Sequence, residues 1–265
     1  MILEQTPWPQ IRKAAPDRVV VLPIAATEQH GPHLGVGTDT TLVSEVARLA
    51  EAARPQSMIL CPTLPLGMSH HHLSYAGTIS ISPETYTRVL VDAVESIAQW
   101  PATRILLLNG HGGNMAPGRQ ALAILMAKGR SDLQVTFANY WELAGKAWQG
   151  DPPMIAPSIS HAGEYETSAM MQVRPEAVHI EKTYPRKRTW RNPYIGWEDD
   201  QPNRGVTMMA ATEYITDNGV MGGDPETATK EKGKHLIHHA VAGLVEFLDS
   251  FATWKPLEDE RNGED

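Results

Sequence analysis

Two apolar runs that each end in a glycine-rich, histidine-bearing turn constrain this chain more than any other feature of its 265 residues. The first, Arg18-Val-Val-Val-Leu-Pro-Ile-Ala25, is dominated by β-branched residues and carries no helical stripe, so it reads as a buried strand. It leads into Ala26-Thr-Glu-Gln-His-Gly-Pro-His-Leu-Gly-Val-Gly-Thr-Asp39, which gathers Glu28, His30, His33 and Asp39. The second, Arg104-Ile-Leu-Leu-Leu-Asn109, leads into Gly110-His-Gly-Gly-Asn114. In open α/β sheets ligands bind beyond the carboxyl ends of strands, and glycines there allow the tight turns that aim side chains inward. Glu28 and His30 are two apart, so in an extended segment both point the same way. A plainer reading stays open for the first turn: a surface loop with solvated histidines, and Asp39 capping the helix that follows. Around His111 the three glycines strip away bulk and leave room for something to approach.

Helices alternate with these strands. Leu42, Val43, Val46, Leu49 and Ala50 fall on one face of a helix after Asp39. Ser82-Pro83-Glu84 is a helix start, with Ser82 as N-cap, and Pro101 ends that helix. Asn114 is expected to cap a helix through Gln120–Ala127, and a long closing helix to run from about Pro225 to Phe251. Ser57–Pro65 and Leu133–Asn139 supply two more strands. Ser69-His70-His71-His72 lies in a loop; adjacent side chains point apart, so His70 and His71 read as polar loop residues, and His72 is a candidate substrate contact. Tyr140 and Trp141, at a strand end, are candidates too, although aromatics there serve the core more often. His161-Ala-Gly-Glu-Tyr-Glu-Thr-Ser168 opens a further helix and again groups a histidine with carboxylates. The pattern implies an α/β fold: a single-domain α/β/α sandwich over residues 1–254 with a mostly parallel sheet, and a charged, disordered tail over 255–265. The long polar loop 181–205, with Arg186, Lys187, Arg188 and Arg191, reads as solvated or subunit-contacting.

Thirty-one acidic against 23 basic residues give a formal net charge of −8, which argues against nucleic acid or an anionic membrane as a partner. The lone cysteine, Cys61, excludes an intrachain disulfide and suits a reducing compartment, and no leader-like or membrane-spanning run is present in the sequence, so a cytoplasmic enzyme with a small-molecule substrate is expected. Three strand ends bring Glu28, His30 and Asp39, then His111, then Tyr140 and Trp141 to one sheet edge. Carboxylates mixed with imidazoles and no thiolate suit Zn²⁺, Mn²⁺ or Fe²⁺ in an open catalytic site.

Taken in order, Glu28-Gln-His-Gly-Pro-His-Leu34 with Thr38-Asp39, His72-x-x-Tyr-Ala-Gly-Thr-Ile79, Asn109-Gly-His-Gly-Gly-Asn114, His161-Ala-Gly-x-x-Glu-Thr-Ser168 and Gly219-Val-Met-Gly-Gly-Asp-Pro225 make the chain resemble the creatininase family over about residues 19–250. The resemblance implies a hexamer with two divalent metals per subunit. It places Glu28, Asp39 and His111 on one ion, and His30, the bridging Asp39 and a further carboxylate on the other. Creatininase itself has that carboxylate two residues after the position matching His111, where this chain has Gly113, so Glu166 is the candidate replacement. Two such metals fit a bound hydroxide that opens a small cyclic amide or removes a formyl group; beside them His161 reads as the proton shuttle or else as a residue that orients a metal ligand, and Glu164 as an outer partner of the metals or a substrate contact. Two rivals stand beside this: hydrolytic C–C cleavage of a cyclic polyol diketone, and a non-catalytic metal-dependent binding protein.

Overall fold

A computed structural model describes residues 1–145, 150–156, 159–185, 187, 194 and 208–256. Its centre is a four-stranded, wholly parallel sheet in the order β2-β1-β3-β4, with β1 at Val19–Ile24, β2 at Met58–Leu60, β3 at Arg104–Asn109 and β4 at Gln134–Asn139. The apolar runs are continuous because both sheet faces are covered. Val19, Val21, Leu106 and Leu108 point into one core, and Val20, Leu22, Ile24, Ile105 and Leu107 into the other. Pro23 is tolerated in a central strand because β2 stops pairing at Leu60, opposite Val21, so its missing N–H breaks no ladder bond.

The first core is closed by α2 (Thr38–Ala53), the short α5 (Tyr140–Leu143), α6 (Glu164–Val173) and α7 (Lys230–Phe251). The second is closed by α1 (Trp8–Ala14), α3 (Pro83–Ile97) and α4 (Met115–Ala127). The helices thus make an α/β/α sandwich around a parallel sheet. Ser82 caps α3 as the sequence indicates, accepting from the Thr85 N–H.

Several boundaries differ from the sequence reading, each for a local reason. The N-terminal helix α1 has no apolar stripe to announce it. Helix α3 ends at Ile97, short of Pro101, in a non-helical turn. Helix α7 begins at Lys230, because Thr229 supplies its cap and Pro225–Thr227 forms a separate 3-10 turn. The Asn114 side chain does not cap α4; it donates to the Ala25 carbonyl and accepts from the Met68 N–H, tying two loops of the site together. Arg186, Arg188 and Arg191 of the basic loop, and residues 257–265 of the charged tail, lie outside the described residues. No described helix is long and apolar enough to cross a membrane.

Candidate metal centre

Strand register aligns Ile24, Asn109 and Asn139, so the loops after β1, β3 and β4 leave from one sheet edge. Asn109 donates to Asn139 Oδ1 at 2.8 Å and accepts from the His111 N–H at 3.1 Å, which fixes the glycine-rich turn and the direction of His111. Asp39 enters from the first turn of α2, where the N-cap is Gly37, so Asp39 is no cap. Glu28 and His30 come from the loop after β1, and both are buried. The turn before α6 brings His161 and Glu166. It holds Ala162 at φ +56°, a left-handed conformation unusual for alanine, secured by the Ala162 N–H donating to Glu166 Oε2 at 2.6 Å.

The polar atoms converge. Asp39 Oδ1 is 3.0 Å from His30 Nε2, and its Oδ2 is 3.0 Å from His111 Nδ1. Glu28 Oε1 is 3.2 Å from His111 Nδ1 and 3.3 Å from His161 Nδ1, and Glu166 Oε2 is 3.5 Å from His30 Nε2. Potential ligand atoms of His30, Asp39 and Glu166 lie within 4.8 Å of one another, as do those of Glu28, His71 and His111 and those of Glu28, His30 and His161.

His30 Nδ1 is 3.2 Å from the Glu28 backbone carbonyl, and His111 Nε2 is 3.0 Å from the Met68 carbonyl. Each carbonyl can only accept, so each ring places its N–H there and, when neutral, aims a lone pair at the carboxylates. Glu28 Oε1 and Asp39 Oδ2 are buried and, among the described residues, have no hydrogen-bond partner. Lone pairs facing lone pairs in a buried site require a positive charge between them. Two carboxylates shared between imidazoles, with Asp39 spanning both histidines, fit divalent cations that take nitrogen and oxygen ligands.

Without a cation, protons take its place. Burial works against a charged His30, yet Asp39 and Glu166 outweigh it and hold the ring well above the usual histidine range; Glu28 and Asp39 do the same for His111 against its burial. Burial would lift Glu28, but His111, His161 and His72 hold it well below the usual carboxylate range. His161 is pushed well below its ordinary value by burial and by the neighbouring His30 and His72.

A cavity of about 370 Å³ opens over these residues, with Met115, Trp141, Ile159 and Met221 in its walls. Of the aromatics after β4, Trp141 lines the cavity and Tyr140 does not: it is 2% exposed and packs in the core. Successive residues of a helix point about 100° apart, and α5 is turned so that Trp141 meets the cavity while Tyr140 enters the core. His72 borders the cavity but is buried, with Nδ1 2.7 Å from Thr212 Oγ1. Glu164 faces away. Two helical residues earlier than Glu166, it sits on the opposite side of α6, where it pairs with Lys232 Nζ and accepts from the Ile155 and Ala156 N–H groups at 2.9 and 2.7 Å. His33 is buried against Thr167 Oγ1 at 2.9 Å, and burial beside His30 pushes it down to about 4.

Contrary to the polar loop position that the sequence suggests for it, His71 lines the cavity and stacks on His111 at a ring-centroid distance of 5.8 Å. His70–His72 forms a 3-10 turn rather than an extended segment, so alternation was the wrong rule for the three histidines. A β-carbon at Gly113 would lie 2.1 Å from the Met68 carbonyl oxygen and 2.4 Å from His111 Nε2, so this backbone excludes any side chain there. A second carboxylate beside His30 and Asp39 has to come from elsewhere, and among the described residues Glu166 is grouped with both.

The family model of creatininase, described as creatinine amidohydrolase, matches residues 4–248. The chain belongs to the creatininase family. As a member it is a hydrolase. The chain is 32% identical over 249 residues to the mycofactocin precursor peptide peptidase of Mycobacterium tuberculosis, covering 91% of this chain and 87% of that protein. It is 27% identical to the creatinine amidohydrolase of Pseudomonas putida, covering 90% and 92% of the two chains. A 3-dehydro-scyllo-inosose hydrolase of Thermotoga maritima matches at 27% identity, over 62% of this chain and 52% of that one. A solved structure of manganese creatininase superposes with a TM-score of 0.77 at 23% identity, covering 94% of this chain and 97% of the other, which establishes the shared creatininase fold.

Proposed function

We propose that this creatininase-family hydrolase uses two divalent ions to cleave an amide C–N bond, with Glu28, Asp39 and His111 on one ion and His30, Asp39 and Glu166 on the other. The observation that carries the reading is Asp39, whose two oxygens each face an imidazole nitrogen at 3.0 Å, with the buried Oδ2 lacking a hydrogen-bond partner among the described residues. Divalent ions bound there supply Lewis acidity toward a carbonyl and toward water. The protein does the rest. His161 Nδ1, 3.3 Å from Glu28 Oε1, is the atom that carries a proton toward the leaving nitrogen. The apolar walls at Met115, Ile159 and Met221, with Trp141, shed water from the apolar part of a substrate, while Gly112, beside open space, leaves the approach clear.

The family resemblance favours a small cyclic amide or a formamide. The mycofactocin precursor peptide peptidase, a relative above 30% identity, widens that class to an amide of a peptide. The C–C reading rests on a relative matched over about half its own length and is the weaker of the two. A cytoplasmic homohexamer completes the proposal; exposed Trp8, Tyr214 and Met209 support burial against other copies. The test is a substrate panel of short peptides, lactams, formamides and cyclic diketones, assayed on zinc- and manganese-reconstituted protein. C–N hydrolysis abolished by chelation is expected. Turnover of diketones alone, or of nothing by fully metallated protein, overturns the proposal.

A further inference from the structure

Gln29 lies between two of the residues assigned above to the metals and is itself 5% exposed. Its amide orientation follows from chemistry: the Gly31 N–H, 2.8 Å from one end, can only donate, so that end is the oxygen and the other is the NH₂ group. The NH₂ nitrogen has three neighbours, the Gly219 carbonyl at 3.0 Å, His161 Nε2 at 2.9 Å and His72 Nδ1 at 2.9 Å. Two hydrogens cannot serve three acceptors. His72 Nδ1, however, already has the Thr212 hydroxyl at 2.7 Å, which can either give or take a proton. One assignment then satisfies every group: Thr212 serves His72, and the hydrogens of Gln29 go to Gly219 O and His161 Nε2.

A ring that accepts at Nε2 and is neutral carries its proton at Nδ1, the atom facing Glu28 Oε1. Geometry alone leaves His161 open as a metal ligand, since its ring groups with Glu28 and His30. A nitrogen that bears a proton cannot coordinate.

We propose that Gln29 is a positioning residue that holds His161 in the Nδ1–H tautomer, keeping it out of the metal coordination shell and available to deliver that proton. The clamp is built from both sides. Gly219, at φ +79°, leaves no room for a β-carbon, which would lie 2.0 Å from Gln29 Oε1. Two residues on, the Met221 N–H donates to the His161 carbonyl at 2.9 Å, so one short segment fixes both the amide and the backbone of the histidine it orients. The inference rests on the hydrolase reading for the purpose of the proton, but the tautomer itself is independent of turnover.

The direct test is ¹⁵N NMR of zinc-loaded, full-length protein labelled at histidine, with the His161 signals assigned by their loss in His161→Asn. A protonated Nδ1 and an unprotonated, hydrogen-bonded Nε2 are expected. An Nδ1 that is metal-coordinated, or a proton on Nε2, overturns the proposal. Kinetics supply the second arm. In Gln29→Glu the carboxylate accepts at Nε2, which inverts the tautomer and turns the Nδ1 lone pair toward the ions; kcat should fall by about 10²-fold or more, the worth of a general acid, with KM and zinc content near parental. Gln29→Met, which removes the donor without adding charge, should fall between the two. Parental kcat in Gln29→Glu also overturns the assignment. Absence of C–N turnover in the parental protein counts against the hydrolase reading instead, and leaves the NMR result to decide the tautomer.

Discussion

At the scale of single residues, position 113 shows how a motif departure becomes a structural necessity. Introducing the missing carboxylate as Gly113→Glu would drive a β-carbon into the Met68 carbonyl and His111, so we expect lost metal and a destabilisation of about 1–3 kcal/mol, the usual cost of overpacking. Thermal unfolding with elemental analysis measures both, and a variant as stable as the parent with two ions would show that the backbone yields more readily than its contacts imply. Glu166→Gln is the counterpart: the fold should persist while one ion is lost or weakened. His161→Asn should keep both ions and lose about 10²–10⁴-fold in turnover. Identical behaviour of these two variants would collapse the distinction between ligand and proton carrier. That Glu28, His30 and His111 share one edge was legible in the sequence because each follows a recognisable strand end, and Asp39 joins them from the first turn of the helix after the same loop. His71 was not, since its direction depends on a 3-10 turn rather than on strand alternation. Gln29 was not either: its importance lies in contacts to His161 and Gly219, distant in sequence, and an amide between two ligand residues carries no local signal.

At the scale of elements, the sheet was readable because burial on both faces leaves an unbroken apolar run, and α3 because cap, proline and stripe agree. What escaped the sequence was set by tertiary contact. Asn114 has the chemistry of a cap, but the Ala25 and Met68 backbone groups compete successfully for it. Glu164 has the chemistry of a site residue, but the rotation of α6 turns it to Lys232. This buried pair ties α6 to α7 and, through the Ile155 and Ala156 N–H groups, to the preceding loop. Removing one partner of a buried pair leaves an uncompensated charge, so Lys232→Met should destabilise by about 3–5 kcal/mol. Adding Glu164→Gln should recover part of that, because a neutral amide oxygen still accepts from the two N–H groups. Chemical denaturation of the single and double variants measures the coupling. Equal stabilities for all three proteins would mean that the pair does not hold the helices together.

At the scale of the molecule, the family resemblance and exposed apolar side chains lead us to expect an oligomer. Light scattering should return several times the 29.1 kDa chain mass, and a monomeric mass at micromolar concentration would remove that part of the proposal. The pH dependence of stability is a second global property, and its sign follows from the buried histidines. In metal-free protein His30 and His111 have raised folded-state values, so their contribution is complete below the unfolded histidine value of about 6.5 and is lost as pH rises through the folded ones. His33, His72 and His161 are lowered, His33 to about 4 and His72 to about 3. These three must stay neutral while the unfolded chain takes up protons, so they subtract stability as pH falls below about 6.5. Metal-free protein should therefore be most stable near pH about 6.5 and decline on both sides. Metal binding has to displace the protons of His30 and His111, so the stabilisation from added zinc should grow with pH and reverse the alkaline decline. Melting temperatures of chelator-stripped and zinc-loaded protein between pH about 5 and 8.5 measure this, the range being chosen to bracket the unfolded histidine value. A stripped protein that gains stability steadily above pH about 6.5 would mean that His30 and His111 do not hold protons there, and that the carboxylates around them are neutralised in some other way.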